Sequence, residues 1–180
     1  MKFKLFIFSF LFFNAFMGLA KPHKGEVLQC IDKANKYWQT THSDPGNPFW
    51  DNAAYHTGNM EVFKLTGDTA ALNYSLRWAT QNNWQGATGS DKSKWKYGET
   101  PDHVLFGDWQ ICFQTYIDLY NVSADSMKIA RAFEVINYQI STPNSDYWWW
   151  VDGLYMVMPV MTKLYKLTGK EIYLEKLYEY

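Results

Sequence analysis

Phe63-Lys64-Leu65-Thr66-Gly67-Asp68 recurs further along the chain as Tyr165-Lys166-Leu167-Thr168-Gly169-Lys170, and Leu119-Tyr120-Asn121-Val122-Ser123 falls about midway between them. The first and last copies close an apolar helical pattern at a glycine, the residue best suited to the left-handed position after a helix. The implied period of roughly 50 residues fits one helical hairpin per repeat.

Outward from these repeats, the pattern predicts helices over residues 24–41, 51–65, 69–82, 105–120, 124–140, 151–167 and 170–180, and no strands. Asp68 and Ser123 are the expected N-caps of the third and fifth. Ser43-Asp44-Pro45-Gly46-Asn47-Pro48 and Thr142-Pro143-Asn144-Ser145 are breaks, and a loop is expected over residues 84–101. Helix five is amphipathic, with Ile129, Phe133, Ile136 and Ile140 on one stripe, and helix three resembles it. Helix six is apolar nearly all round, from Leu154 to Leu164, which predicts burial. Within it, Pro159 must kink the helix or free the carbonyl of Tyr155. Buried and half-exposed helices in alternation predict an all-α fold of concentric helical hairpins. Three buried helices do not close a ring, and the last helix stops without a cap signal. The 180 residues are therefore expected to be part of a longer protein.

Residues 1–20 stand apart. Lys2 and Lys4 precede an apolar run from Leu5 to Phe13, and Gly18-Leu19-Ala20 gives a small-x-small cleavage site. This predicts a signal peptide cut after Ala20 and an exported protein, with an uncleaved anchor as the alternative. About 160 residues remain, enough for one domain core. A net charge of −1 gives no reason to expect nucleic acid or an anionic membrane as partner. Cys30 and Cys112 could pair after export, but each lies in an apolar helical pattern, which favours two buried thiols. Asn73-Tyr74-Ser75 and Asn121-Val122-Ser123 match the glycosylation sequon, a pattern too short to carry weight.

An aromatic content of 19% points to stacking surfaces. The densest block is Tyr147-Trp148-Trp149-Trp150-Val151-Asp152-Gly153-Leu154-Tyr155-Met156. Three adjacent tryptophans cannot share one core, so at least one indole should line a cavity or face solvent. A carboxylate beside such a wall can be desolvated into a general acid; equally, an acid is common at a helix N-terminus. Trp50-Asp51, Asp108-Trp109 and Trp150-Val151-Asp152 open the three inner helices alike. Helix electrostatics explains those acids but not the tryptophans beside them.

Trp148-Trp149-Trp150-Val151-Asp152-Gly153-Leu154-Tyr155-Met156, with Pro159 following, resembles the signature of the unsaturated glucuronyl and rhamnogalacturonyl hydrolases. These are glycoside hydrolase families 88 and 105, and the likeness is closer to 105. Asp108-Trp109-Gln110-Ile111-Cys112-Phe113-Gln114-Thr115-Tyr116, running on to Leu119-Tyr120, is similar to the second family motif. Asn52-Ala53-Ala54-Tyr55-His56-Thr57-Gly58 is similar to the first inner helix. The resemblance implies the N-terminal portion of an (α/α)6 toroid, about its first three hairpins. It also implies an oligosaccharide substrate whose 4,5-unsaturated uronic acid is removed by hydration of the vinyl ether. Asp152 maps onto the general acid and base, and Asp108 onto the carboxylate that binds substrate and tunes it. Trp50, Tyr55, His56, Trp109 and Trp149 are the candidate sugar contacts, although Tyr55 could equally be core and a lone histidine is more often structural. The chemistry needs neither metal nor organic cofactor, and the four histidines show no ligand spacing. Many relatives carry Asp-His after the first acid where this chain has Trp109 and Gln110, which leaves the fine substrate preference open. The rival readings are a non-catalytic carbohydrate-binding α/α solenoid and a half-toroid inactive by itself.

Overall fold

Gly67 and Gly169 take the left-handed conformation, with φ of 74° and 69°. Their amides donate to Phe63 O at 2.8 Å and Tyr165 O at 2.7 Å. The sequence repeat is thus a repeated helix ending, and the third copy stops its helix with Ser123 N donating to Leu119 O at 3.1 Å. The computed structural model describes residues 23–96, 102–148 and 150–180. The expected signal peptide and Trp149 lie outside the described residues, as do residues 97–101 of the expected loop.

The described residues form helices and no strands. In chain order these are α1 (Lys24–Thr41), α2 (Trp50–Thr66), α3 (Thr69–Gln81), α4 (Gly107–Gln110), α5 (Cys112–Val122), α6 (Met127–Ser141), α7 (Gly153–Met156), α8 (Met158–Thr168) and α9 (Ile172–Glu179). The chain divides into two units, residues 1–37 and 38–180, with the boundary inside α1. The described part of the first unit is helical and solvated, with Lys36 paired to Asp32 at 2.8 Å. Cys30 is exposed there, not buried as its apolar neighbours suggested, and Cys112 alone is a buried thiol. An amphipathic pattern tells which face is apolar but not whether another element covers it.

In the second unit α2, α5 and α8 form an inner row, with α5 in the middle. Outer helices α3, α6 and α9 each back their own partner. Every residue of α5 from Cys112 to Leu119 is buried. Trp78, Phe113, Tyr116, Met161, Leu164 and Tyr173 fill the space between the two rows. Each such side chain contributes about 1.5–3 kcal/mol on leaving water. This is the all-α arrangement of hairpins that the alternating pattern predicts.

Three local expectations are corrected. The second and third inner helices are each broken near the head, at Ile111 and at Val157, leaving the short helices α4 and α7. The first turns of helix six are not buried all round, since Leu154 and Tyr155 are each 53% exposed. Ser123 caps the end of α5 rather than the start of α6; there Met127 N donates to Asp125 Oδ1 at 3.0 Å. Asp68 caps α3 as expected, accepting from Ala70 N at 2.8 Å.

Candidate functional site

The heads of the three inner helices meet at α4, which packs against both α2 and α7. A β-carbon on Gly86 would lie 2.2 Å from the carbonyl oxygen of Trp109, so no other residue fits there. A β-carbon on Gly107 would lie 3.4 Å from Val157 Cγ2, which shows how closely the Asp108 segment runs beside α7. Trp109 is half-buried, its ring 4.5 Å from that of Phe49 at the head of α2, and Trp50 beside it is exposed. Trp50, Asp108, Trp109 and Asp152 therefore share one end of the inner row.

Asp152 precedes α7 with its side chain exposed and making no capping hydrogen bond. Only its backbone carbonyl serves the helix, accepting from Tyr155 N and Met156 N at 2.9 Å. The tryptophan block diverges around it as the sequence requires. Trp148 is buried edge-on against Tyr180 at 5.1 Å, while Trp150 is exposed. The turn closes on Gly153, where a β-carbon would lie 2.9 Å from Trp148 Cβ.

Gln114 joins the Asp108 and Asp152 segments. Pro159 has no N–H to offer the carbonyl of Tyr155 four residues back. In its place Gln114 Nε2 donates to Tyr155 O at 2.8 Å and to Met156 O at 2.9 Å. On the other flank the Tyr155 hydroxyl meets Thr57 Oγ1 at 2.8 Å. The acid's helix is thus tied to both inner neighbours. The freed carbonyl was legible from Pro159; the donor, a full hairpin away in sequence, was not.

Tyr55 and His56 do not join this group. The Tyr55 ring stacks on Trp38 at 4.6 Å and its hydroxyl accepts from Gln39 at 3.2 Å. Burial pushes its phenol up to about 12. His56 is fully buried towards α3, 3.0 Å from Ser75 Oγ through Nδ1 and stacked on Trp78 at 4.1 Å. Burial drives its imidazole down to about 3, so it is neutral at ordinary pH. Their contacts belong to the packing of α2 against its outer neighbours. Among the described residues no three His, Cys, Asp or Glu side chains are grouped to hold a metal ion.

At the far end of the inner row lies a charged node that the sequence reading missed. Asp118 of α5 is buried and accepts from Lys163 of α8 at 2.6 Å and from Lys64 of α2 at 3.0 Å. The two ammoniums shift oppositely. Burial lowers Lys163, whereas at Lys64 burial is outweighed by Glu61 and Asp118, which raise it. The more buried lysine feels its lost hydration most.

Comparison with known proteins agrees with this architecture. A family model described as Glycosyl Hydrolase Family 88 matches residues 24–180. A solved structure described as a polysaccharide lyase is 63% identical, with a TM-score of 0.85 over 87% of this chain and 45% of its own. A glycosyl hydrolase family 88 structure from Bacteroides vulgatus is 54% identical, with a TM-score of 0.84 over 88% of this chain and 46% of its own. No curated protein gives a significant match. The chain thus spans less than half the length of either solved relative.

Proposed function

The chain belongs to glycosyl hydrolase family 88, the first hairpins of whose six-hairpin toroid it supplies, and from that premise we propose that it serves to remove a 4,5-unsaturated uronic acid from the non-reducing end of lyase-generated oligosaccharides. Fragments of rhamnogalacturonan type are the favoured substrates. Asp152 is the proton donor to C4 of the vinyl ether. Water adds at C5 and gives its proton to the Asp152 carboxylate, and the resulting hemiketal opens to release the remaining sugar. Asp108 is the second carboxylate, which holds the substrate. Exposed Trp50 and Trp150 offer flat apolar surface to sugar rings. The reading includes export, with the signal peptide removed after Ala20.

One observation carries this assignment: Asp152 stands at a helix head without capping it. Helix-terminal acids are ordinarily explained by the bonds they accept from the first turn. Asp152 leaves those amides alone and projects its carboxylate outward, beside the Asp108 segment. The test is to follow the ultraviolet absorbance of the conjugated double bond in an unsaturated rhamnogalacturonan disaccharide. Metal-independent loss of that absorbance is expected. Saturable binding of the disaccharide without turnover would replace the hydrolase with a carbohydrate-binding solenoid.

A further inference from the structure

The Asp152 carboxylate has no hydrogen-bond or ion-pair partner among the described residues, so its direction is inherited from its backbone. That backbone belongs to a turn that cannot hold itself. Helix α7 is only four residues long, and a single helical turn does not persist in water without support. What fixes it must come from elsewhere in the fold.

At the entry to the turn, Trp148 closes on Gly153. At its exit stands Gln114, 5% exposed, on a helix that is itself buried from Cys112 to Leu119. Its Nε2 donates to the carbonyls of Tyr155 and Met156 at 2.8 and 2.9 Å. The peptide unit between those two residues is therefore gripped at both ends. Its oxygen accepts from Gln114, and its N–H donates to Asp152 O at 2.9 Å. Two hydrogen bonds in series thus run from the Gln114 amide to the backbone of the acid, and bonds in such a chain polarise and strengthen one another. The glutamine is held in turn, its own carbonyl accepting from Lys163 Nζ at 3.2 Å. A primary amide suits this place. Its nitrogen carries two N–H groups for two carbonyls, whereas a carboxylate would turn an oxygen against them.

We propose that Gln114 is the positioning residue for Asp152: it sets where the carboxyl stands without itself touching substrate. The catalytic meaning of that placement rests on the function proposed above. Proton delivery to a ring carbon tolerates little misplacement, since an error of about 1 Å in a reacting group can cost on the order of 10²-fold in rate. Gln114 follows Asp108 by six residues on the same segment. One stretch of chain therefore carries the second carboxylate and sets the first.

Gln114→Met keeps the length and packing of the side chain and removes both donors. In the full-length protein acting on the unsaturated disaccharide, kcat should fall about 10²-fold while KM stays within about twofold. Hydrogen exchange across residues 152–157 should quicken about tenfold, the equivalent of one lost hydrogen bond, with α3 and α6 unmoved. Gln114→Asn retains the amide but falls a methylene short, and it carries the same expectations should Gln114→Met fold poorly. Exchange that rises throughout the protein, with turnover lost only in proportion to the unfolded fraction, would reduce Gln114 to packing and overturn the proposal. Wild-type kcat in both variants, with or without a raised KM, would overturn it as well. If the wild type turns over no unsaturated sugar while exchange still quickens at residues 152–157 alone, the hydrolase reading falls and the hold on Asp152 stands.

Discussion

Asp118 and Asp152 are the same side chain on neighbouring inner helices, yet they meet opposite surroundings. Asp118 is buried between two lysine ammoniums, 2.6 and 3.0 Å away. Asp152 is exposed, and its carboxylate has no hydrogen-bond or ion-pair partner among the described residues. A buried carboxylate persists only where cations replace its hydration, so the first is committed to holding helices together. The second holds nothing together and remains available for a ligand.

The sharpest way to break the comparison is to make both acids amides. Asp152→Asn should lower turnover of the unsaturated disaccharide by about 10²–10⁴-fold, the usual contribution of a general acid, with the melting temperature unchanged. Asp118→Asn should do the reverse, leaving two lysines without their carboxylate. Its cost should fall near the lower end of the ~3–5 kcal/mol seen for broken buried pairs, because Lys64 keeps access to water. Chemical denaturation measures it. If Asp152→Asn unfolds the protein, or Asp118→Asn leaves the denaturation midpoint unmoved, the division of roles fails.

A smaller effect sharpens the same point with a histidine. The folded state holds His56 neutral down to about pH 3, whereas the unfolded chain protonates it near its ordinary 6.5. Between those values the unfolded state binds the extra proton, so stability is complete above about 6.5 and falls as the pH drops. The slope is at most about 1.4 kcal/mol per pH unit. Melting temperatures between pH 7 and 5, above most carboxylate titrations, should decline in the wild type and flatten in His56→Phe. Parallel curves for the two proteins would mean that another group carries the acid sensitivity.

The parts of this molecule written in local chemistry could be read from the chain. Gly67, Gly169 and Asp68 announce their helix ends because left-handed backbone and a capping carboxylate are properties of single residues. Asp108, Trp109 and Trp50 were legible as one group because they recur at the start of successive repeats. His56 was not, because its neighbours Ser75 and Trp78 decide which way it faces. The break at Ile111 has no proline or glycine to signal it. The Asp118 node had a signal that went unread: its partners lie 54 and 45 residues away, close to the hairpin period, which puts all three at one level.

That node also settles how the hairpins are aligned. Near-identical endings such as Leu65-Thr66-Gly67 and Leu167-Thr168-Gly169 make neighbouring repeats interchangeable to the hydrophobic effect, which has no sense of register. Sliding one inner helix by a single turn, about 5.4 Å, would keep much of the apolar contact. It would also carry Lys64 or Lys163 out of reach of Asp118 and strand a charge in the interior. One carboxylate thereby acts as an alignment pin for three helices, penalising the mis-threaded packings that a repetitive chain otherwise invites.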